Sequence, residues 1–429
     1  MENRYDKYKD SGIAWIGEIP EHWCLALVKA IFNRRTKKNN PILTEERLSL
    51  SIEKGVTLYS EKTTNLDRFK EDFTQYQIAY PNDIVLNSMN MIVGAIGISH
   101  YLGCVSPVYY VITPKDKNIN VKYYGYLLNN FRIRNLYHAL GEGIYAIDRG
   151  EGRINTCRLK VSYDKFGSII IPIPSINEQQ SIAAYLDQKC GEIDELITLQ
   201  EEMITKLQGY KQSVITEAVT KGLDKNVPLK DSGIKWIGKI PEHWEVKRLK
   251  NVCSQINIKE NSKRNSLPYI GLENIESGSG RYIDTISEIE GMANRFCKNN
   301  VLFGKLRPYL SKVYLAEKDG ICSPEFIVYD TKSNNSRFIH KLLLSQPFID
   351  VVNSSTYGAK MPRANGEFIN NIYVQIPPLS EQQSIADYLD QRCSEIDELI
   401  SIKQQKIEKL KEYKKSLIFE CVTGKRKVS

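Results

Sequence analysis

Two runs of side chains in this sequence have the types and spacing to grip a phosphate or a base edge. The first is Arg34, Arg35, Thr36, Lys37, Lys38, Asn39 and Asn40, joined further along by Asn87, Arg149, Arg153 and Arg158. The second is Lys259, Lys263, Arg264 and Asn265, joined by Lys305, Arg307, Lys360 and Arg363. An Arg fork matches two acceptors on guanine, and an Asn or Gln amide matches an acceptor and a donor on adenine. Lys and Thr suit phosphate oxygens, which position a protein on a duplex without reading it. Any basic loop has this composition, so solvated loops and a nucleic-acid surface both remain open on these residues alone.

Bond-making chemistry has no comparable signature. There is no Walker P-loop, and no GxGxxG follows a strand to hold a dinucleotide or methyl donor. The stretches SPVY at Ser106 and SPEF at Ser323 lack the second proline of an amino-methyltransferase motif and read as turns into strands. The five histidines make no HExxH spacing and the nine cysteines make no CxxC pair, so no metal site is expected. No paired carboxylates or Ser-His-Asp set stands out. The chain reads as a binder.

Bulk properties agree. The 429 residues carry a net charge of +8, which permits an anionic partner without requiring one. Apolar residues make up 41 % and no run is long enough for a membrane span. The opening MENRYDKYKD lacks the apolar core of an export signal, so reduced thiols and a cytoplasmic location are expected.

The elements that hold these loops come in duplicate. DSGIAWIGEIPEHW, from Asp10 to Trp23, returns as DSGIKWIGKIPEHW from Asp231 to Trp244, an offset of 221. GCVSPVYYV at Gly103 matches GICSPEFIV at Gly320, an offset of 217. NEQQSIAAYLDQKCGEIDELI at Asn177 matches SEQQSIADYLDQRCSEIDELI at Ser380, an offset of 203. The order is therefore A–B–A–B, with A over 1–175 and 223–377 and B over 176–222 and 378–429. The second copy has shortened mostly after about Gly358. The ends of A and all of B are close copies, while the A middles have diverged. Like segments suit a shared scaffold with pseudo-two-fold symmetry, and unlike middles suit two targets.

Each B segment follows a proline stop and carries an apolar stripe at heptad-like spacing, such as Leu186, Ile193, Leu196 and Ile197 and their copies Leu389, Ile396, Leu399 and Ile400. Ser175 and Ser380 are expected N-caps, the latter with Gln383 as a capping box. A helix of roughly 44 residues is about 66 Å long and cannot hide such a stripe alone. Pairing of the two as an antiparallel coiled coil is expected, which would send the A domains to opposite ends of a bar. The A segments mix β-rich runs (DIVLNS, VYYVIT, SIIIPI; LPYIGL, FIVYD, NIYVQI) with helical ones, giving an α+β class. The chain's only tryptophans, Trp15, Trp23, Trp236 and Trp244, all fall in the repeated phrase and are expected to anchor each A domain by packing rather than to stack a ligand.

The A–B–A–B order, the phrase SGIxWIGxIPEHW, the linker VTKGLDKNVPLKDSGIKWIG from Val219 to Gly238 and EQQSIAxYLDQ after a Pro-rich strand together resemble the specificity (S) subunit of type I restriction–modification systems. The resemblance covers essentially the whole chain. It implies that each A segment is a target recognition domain reading one half of a bipartite, asymmetric site in double-stranded DNA. It implies that the B helices set the spacing and dock two modification (methyltransferase) subunits. S-adenosylmethionine, ATP and Mg2+ would then belong to partner modification and restriction/translocase subunits, and this chain would be non-catalytic. A stand-alone DNA-binding protein and a cryptic nuclease are the rival readings.

Overall fold

In 84–87 and 109–112 successive side chains point to opposite faces of a strand, and the apolar residues on each face enter different cores. The structure, a computed structural model, describes residues 4–62, 72–144, 158–261, 266–285, 291–358 and 360–428. Strands β1 (Phe32–Arg35), β2 (Ile84–Asn87), β3 (Ile96–Ile98) and β4 (Tyr109–Pro114) form an antiparallel sheet in the order β1-β4-β2-β3. Ile84, Leu86, Tyr110 and Ile112 pack into the main core with helices α1 (Val121–Asn129) and α2 (Phe131–Leu140). Val85 and Val111 face a smaller core with Leu48, Leu50, Val56 and Val105. The helical run after residue 120 is broken because the Asn130 carboxamide oxygen accepts the N–H groups of Arg132 and Ile133, capping a second helix.

The strand Cys24–Leu27, directly after the repeated phrase, pairs antiparallel with Ile170–Ile173, directly before the long helix α3 (Ile176–Lys221). The second copy repeats the plan. Strands β5 (Ser254–Ile256), β6 (Val301–Gly304), β7 (Val313–Leu315) and β8 (Phe326–Asp330) are ordered β5-β8-β6-β7. Helices α4 (Ser336–Leu344) and α5 (Gln346–Ser354) cover the sheet, and Glu245–Arg248 pairs with Tyr373–Ile376 before α6 (Leu379–Val422). The shortening falls late in the copy, where 141–162 of the first is answered by 355–365 of the second.

The compact units cut across the repeat. One is Met1–Leu199 with Lys406–Ser429, the other Gln200–Gln405. Each takes half of α3 and half of α6. In the first, Leu186, Cys190 and Ile193 share a core with Leu417, Cys421 and Val422. In the second, Val214, Ile215 and Val219 share one with Ile385, Leu389 and Cys393. The helices run in opposite directions in each unit. In the first, Tyr185 bonds Arg426 and Asp194 bonds Lys414 at 2.6 Å. In the second, Gly222 lies against Glu381 and Lys211 bonds Asp397 at 2.8 Å. The two ion pairs are one pair written twice, since Asp194 and Asp397, and Lys211 and Lys414, are repeat equivalents. The α+β class and the antiparallel helix pairing are thus as expected.

One expected cap differs. The capping box is at Ser175, whose N–H and Oγ donate to Glu178 Oε2 at 3.1 and 2.7 Å while Glu178 N–H returns to Oγ. Ser380 lies inside α6, whose first turn starts from the Pro378 carbonyl, and Gln383 bonds Asn335 and Asp387 instead.

Candidate nucleic-acid interface

In the second unit the chain leaves β6 at Gly304 and turns through the single 3-10 turn Pro308–Leu310. Arg307 and Ser311 flank that turn with φ of +50° each, the left-handed region that non-glycine residues avoid. The turn is held from outside. Arg307 N–H donates to Pro362 O at 2.7 Å, Ala364 N–H donates to Lys305 O at 2.9 Å, and Tyr357 and Arg363 exchange N–H···O bonds of 3.3 and 3.1 Å. Lys305, Arg307, Lys360 and Arg363, read from distant points of the sequence, thereby come together on one ribbon. Arg363 is tied to Glu325 at 2.7 Å. The Arg307 guanidinium has no hydrogen-bond or ion-pair partner among the described residues, and its Nε is buried and unpaired. Three large side chains that the sequence reading missed stand out on the same ribbon: Tyr309, Tyr357 and Met361, exposed by 51, 63 and 60 %. Cations interleaved with aromatics suit phosphates and base faces together.

The first unit builds the same device with other chemistry. β2 ends at Asn87, the 3-10 turn is Met91–Val93, and Gly94 takes the left-handed position with φ of +99°. Val161 N–H donates to Ser88 O at 3.1 Å, the counterpart of the Ala364–Lys305 bond. Its described tip carries amides and apolar side chains rather than cations: Asn87, Met89, Asn90 and Val93. The Asn87 carboxamide is already used, since its Oδ1 accepts the Met89 N–H at 3.0 Å and its side chain bonds Tyr109. The Asn90 side chain is exposed and makes no hydrogen bond among the described residues.

The basic run beginning at Arg34 divides by role. Arg35 forks onto buried Asp83 at 2.8 and 3.1 Å and stacks 4.6 Å from the Tyr80 ring, so its guanidinium is spent on holding β1. Asn39 is buried, with its Oδ1 accepting from Leu43 and Thr44 and its amide donating to Thr44 O. Arg34 lies over Tyr110 and Tyr163 at 5.0 and 4.8 Å, and the Tyr110 hydroxyl donates to Val161 O beside the turn. Lys37 reaches the Tyr80 hydroxyl at 3.4 Å, and Lys37 and Lys38 are exposed. Lys259 is exposed on Lys259–Asn261. Arg149, Arg153, Lys263, Arg264 and Asn265 lie outside the described residues, as does the side chain of Arg158.

The repeated phrase is a clasp. Trp23 and Trp244 are fully buried, and their indole N–H groups donate to Glu178 and Glu381 at 3.0 and 3.1 Å. His22 and His243 bond the same carboxylates at 2.9 and 2.8 Å. Burial alone would raise the Glu178 value, but bonds from Trp23, His22 and Ser175 outweigh it and hold the carboxyl down at about 2. On the other side each Trp meets the end of the opposite helix. A Cβ on Gly424 would lie 3.0 Å from Trp23, and one on Gly222 would lie 3.3 Å from Trp244. Each phrase therefore grips the start of one long helix and the finish of the other. Trp236 packs edge-on against Phe348. Trp15 is half-buried and lines a concavity of about 930 Å³ with Ile13, Leu136 and Leu140 among its walls.

Among the described residues no group of three or more His, Cys, Asp or Glu side chains is placed to hold a metal ion, and no helix is long and apolar enough to cross a membrane. Buried His340 is kept neutral by desolvation, at about 4, with Nε2–H donating to Val313 O. It is a core residue of the second unit.

The sequence profile of one family, described as the type I restriction modification DNA specificity domain, matches the chain twice, over 24–208 and 241–412. The type I restriction enzyme MjaVIII specificity subunit of Methanocaldococcus jannaschii is 26 % identical over 282 residues, which are 61 % of this chain and 63 % of that protein. The type I restriction enzyme EcoDI specificity subunit of Escherichia coli is 26 % identical over 243 residues, 52 % of this chain and 54 % of that protein. The matched stretch thus spans less than two thirds of either relative. A chain from a structure of type I R-M system assembly and conformational transition shares the fold, with a TM-score of 0.67 at 14 % identity over 94 % of this chain and 98 % of that one.

Proposed function

The chain belongs to the type I restriction modification DNA specificity domain family, and from that premise we propose that it is the DNA-reading specificity subunit of a type I restriction–modification complex. Segments 1–175 and 223–377 are its two target recognition domains, and 176–222 and 378–429 are its spacer helices. Each domain reads one half of a bipartite site. The observation that carries this is the pair of equivalent turns after β2 and β6, alike in backbone and unlike in chemistry. Two such tips on one chain make the second contact intramolecular, so two weak half-site grips add up to one strong one. Because the tips differ, the site is not a palindrome.

The chain binds DNA without changing it. Modification subunits bring S-adenosylmethionine, and restriction subunits bring ATP and Mg2+. Two modification subunits dock on the helices, which is supported by exposed apolar residues recurring at equivalent positions: Leu196 and Leu399, Leu199 and Ile402, Tyr210 and Tyr413. The helices fix the gap between half-sites. Reduced thiols fit a cytoplasmic location, and the described cysteines are all free.

Co-expression with modification and restriction subunits from the same host, followed by purification and a methylome, tests this. The expected result is two modification subunits per chain and one bipartite, non-palindromic methylated motif. Recovery of the chain alone, or a palindromic motif, overturns the proposal.

A further inference from the structure

We infer that Asn90 and Arg307, which occupy the same position in the two turns, are the residues that set which purine each half-site carries: adenine for the first unit and guanine for the second. This rests on the DNA reading proposed above and adds the readers to it.

The equivalence is geometric. Residues 84–87 and 301–304 are the same strand of the same sheet order, and 91–93 and 308–310 are the same 3-10 turn. Gly94 and Ser311 share the left-handed exit, and Ser88 and Lys305 accept the same backbone bond from Val161 and Ala364. Asn90 and Arg307 are therefore the residues entering each turn, and they are N-cap residues whose side chains cap nothing. Several of their neighbours are committed inside the protein: Asn87 to Met89 and Tyr109, Arg35 to Asp83, Arg363 to Glu325. A polar side chain at a rigid turn with no partner inside the protein is prepared for one outside it.

Arg307 adds a second sign. It holds a left-handed backbone that a glycine would adopt without strain. The bond from its own N–H to Pro362 O keeps it there, and Pro308 fixes the residue after it. The backbone thus fixes where the Arg307 side chain leaves the turn, and no carboxylate among the described residues holds its fork. With Nε buried, the two terminal nitrogens of the fork match the O6 and N7 acceptors of guanine, and a free carboxamide matches N7 and the N6 amine of adenine.

The test uses the full chain with its partner subunits. Arg307→Asn is well suited, because Asn tolerates a left-handed backbone. Asn90→Arg is suited too, because φ of −114° strains no residue. The methylome of cells carrying Arg307→Asn should exchange guanine for adenine at one position of one half-site. Asn90→Arg should make the reverse exchange in the other half. In parallel, 7-deazaguanine placed at the exchanged position removes the N7 acceptor. It should weaken binding by the wild-type complex between about 5- and 150-fold and leave the Arg307→Asn complex unaffected. The inference fails if either variant keeps the wild-type motif. It also fails if Arg307→Asn weakens all sequences evenly and lowers the salt slope by about one, which is how a phosphate anchor behaves. A wild-type complex that leaves no bipartite mark overturns the DNA reading itself, and this inference with it.

Discussion

Replacing Glu178 by Gln tests whether the repeated phrase clasps the helix ends. The carboxylate takes bonds from Trp23 Nε1, His22 Nε2, and the N–H and Oγ of Ser175. It also sits in the first turn of α3, where the helix dipole favours negative charge. Its value of about 2, against 4.5 for an ordinary Glu, corresponds to a ceiling of about 3.4 kcal/mol at 1.36 kcal/mol per pH unit. The side chain is 20 % exposed, so solvent screening brings the expected contribution to about 2 kcal/mol. Because the folded value is depressed, this stability is fully present above about 4.5 and is lost as pH falls toward about 2. Urea denaturation at pH 7 should therefore show the Gln variant weaker by about 2 kcal/mol, and the gap should narrow steadily below pH 4.5. Each unit holds two tryptophans, so fluorescence mixes the two signals. Hydrogen exchange over 176–199 isolates the first unit. Equal stability at pH 7, or a deficit that is the same at every pH, would refute the clasp.

The duplicated ion pair should be unequal. Lys211 is 11 % exposed and Lys414 28 %, so Lys211→Met should cost about 1–2 kcal/mol and Lys414→Met less than about 1 in urea denaturation. Arg281, 3.2 Å from Asp397, limits the first loss. Gly424→Ala should cost more than about 2 kcal/mol, because φ is +74° and the new Cβ would lie 2.4 Å from Pro20. Gly209→Ala, mid-helix with nothing within 4 Å, should instead gain about 0.5–1 kcal/mol. Lys305→Ala should lower the salt dependence of DNA binding by about one unit of log–log slope, measured by titration with NaCl.

The scaffold was legible because it was written twice. Offsets of 221, 217 and 203 revealed the two copies, and the helical period of the B segments survived in α3 and α6. Pairings between distant residues were not legible. The phrase showed Trp23 and His22, but nothing local names Glu178, 155 positions from Trp23, as their shared acceptor. Arg35 looked like its neighbour Arg34 until the fold brought Asp83 beneath it. Asn87 and Asn90 are indistinguishable in DIVLNSMN, and only the turn shows that one amide is used and the other free. The offset of 217 read at Gly103 also matches Asn90 with Arg307, but no letters shared around those two positions mark them as entering the same turn.

Because each unit borrows half of the opposite helix, order of synthesis and order of completion part ways. The ribosome finishes every residue of Gln200–Gln405 before it makes Leu417, Cys421 and Val422, which fill the core around Trp23. The portion translated first must wait, with an unfilled apolar cleft, for the portion translated last. A stop codon after Gln405 should therefore spare the later-made unit and leave the earlier-made one to chaperones and proteases, which protection mapping of the truncated chain would reveal.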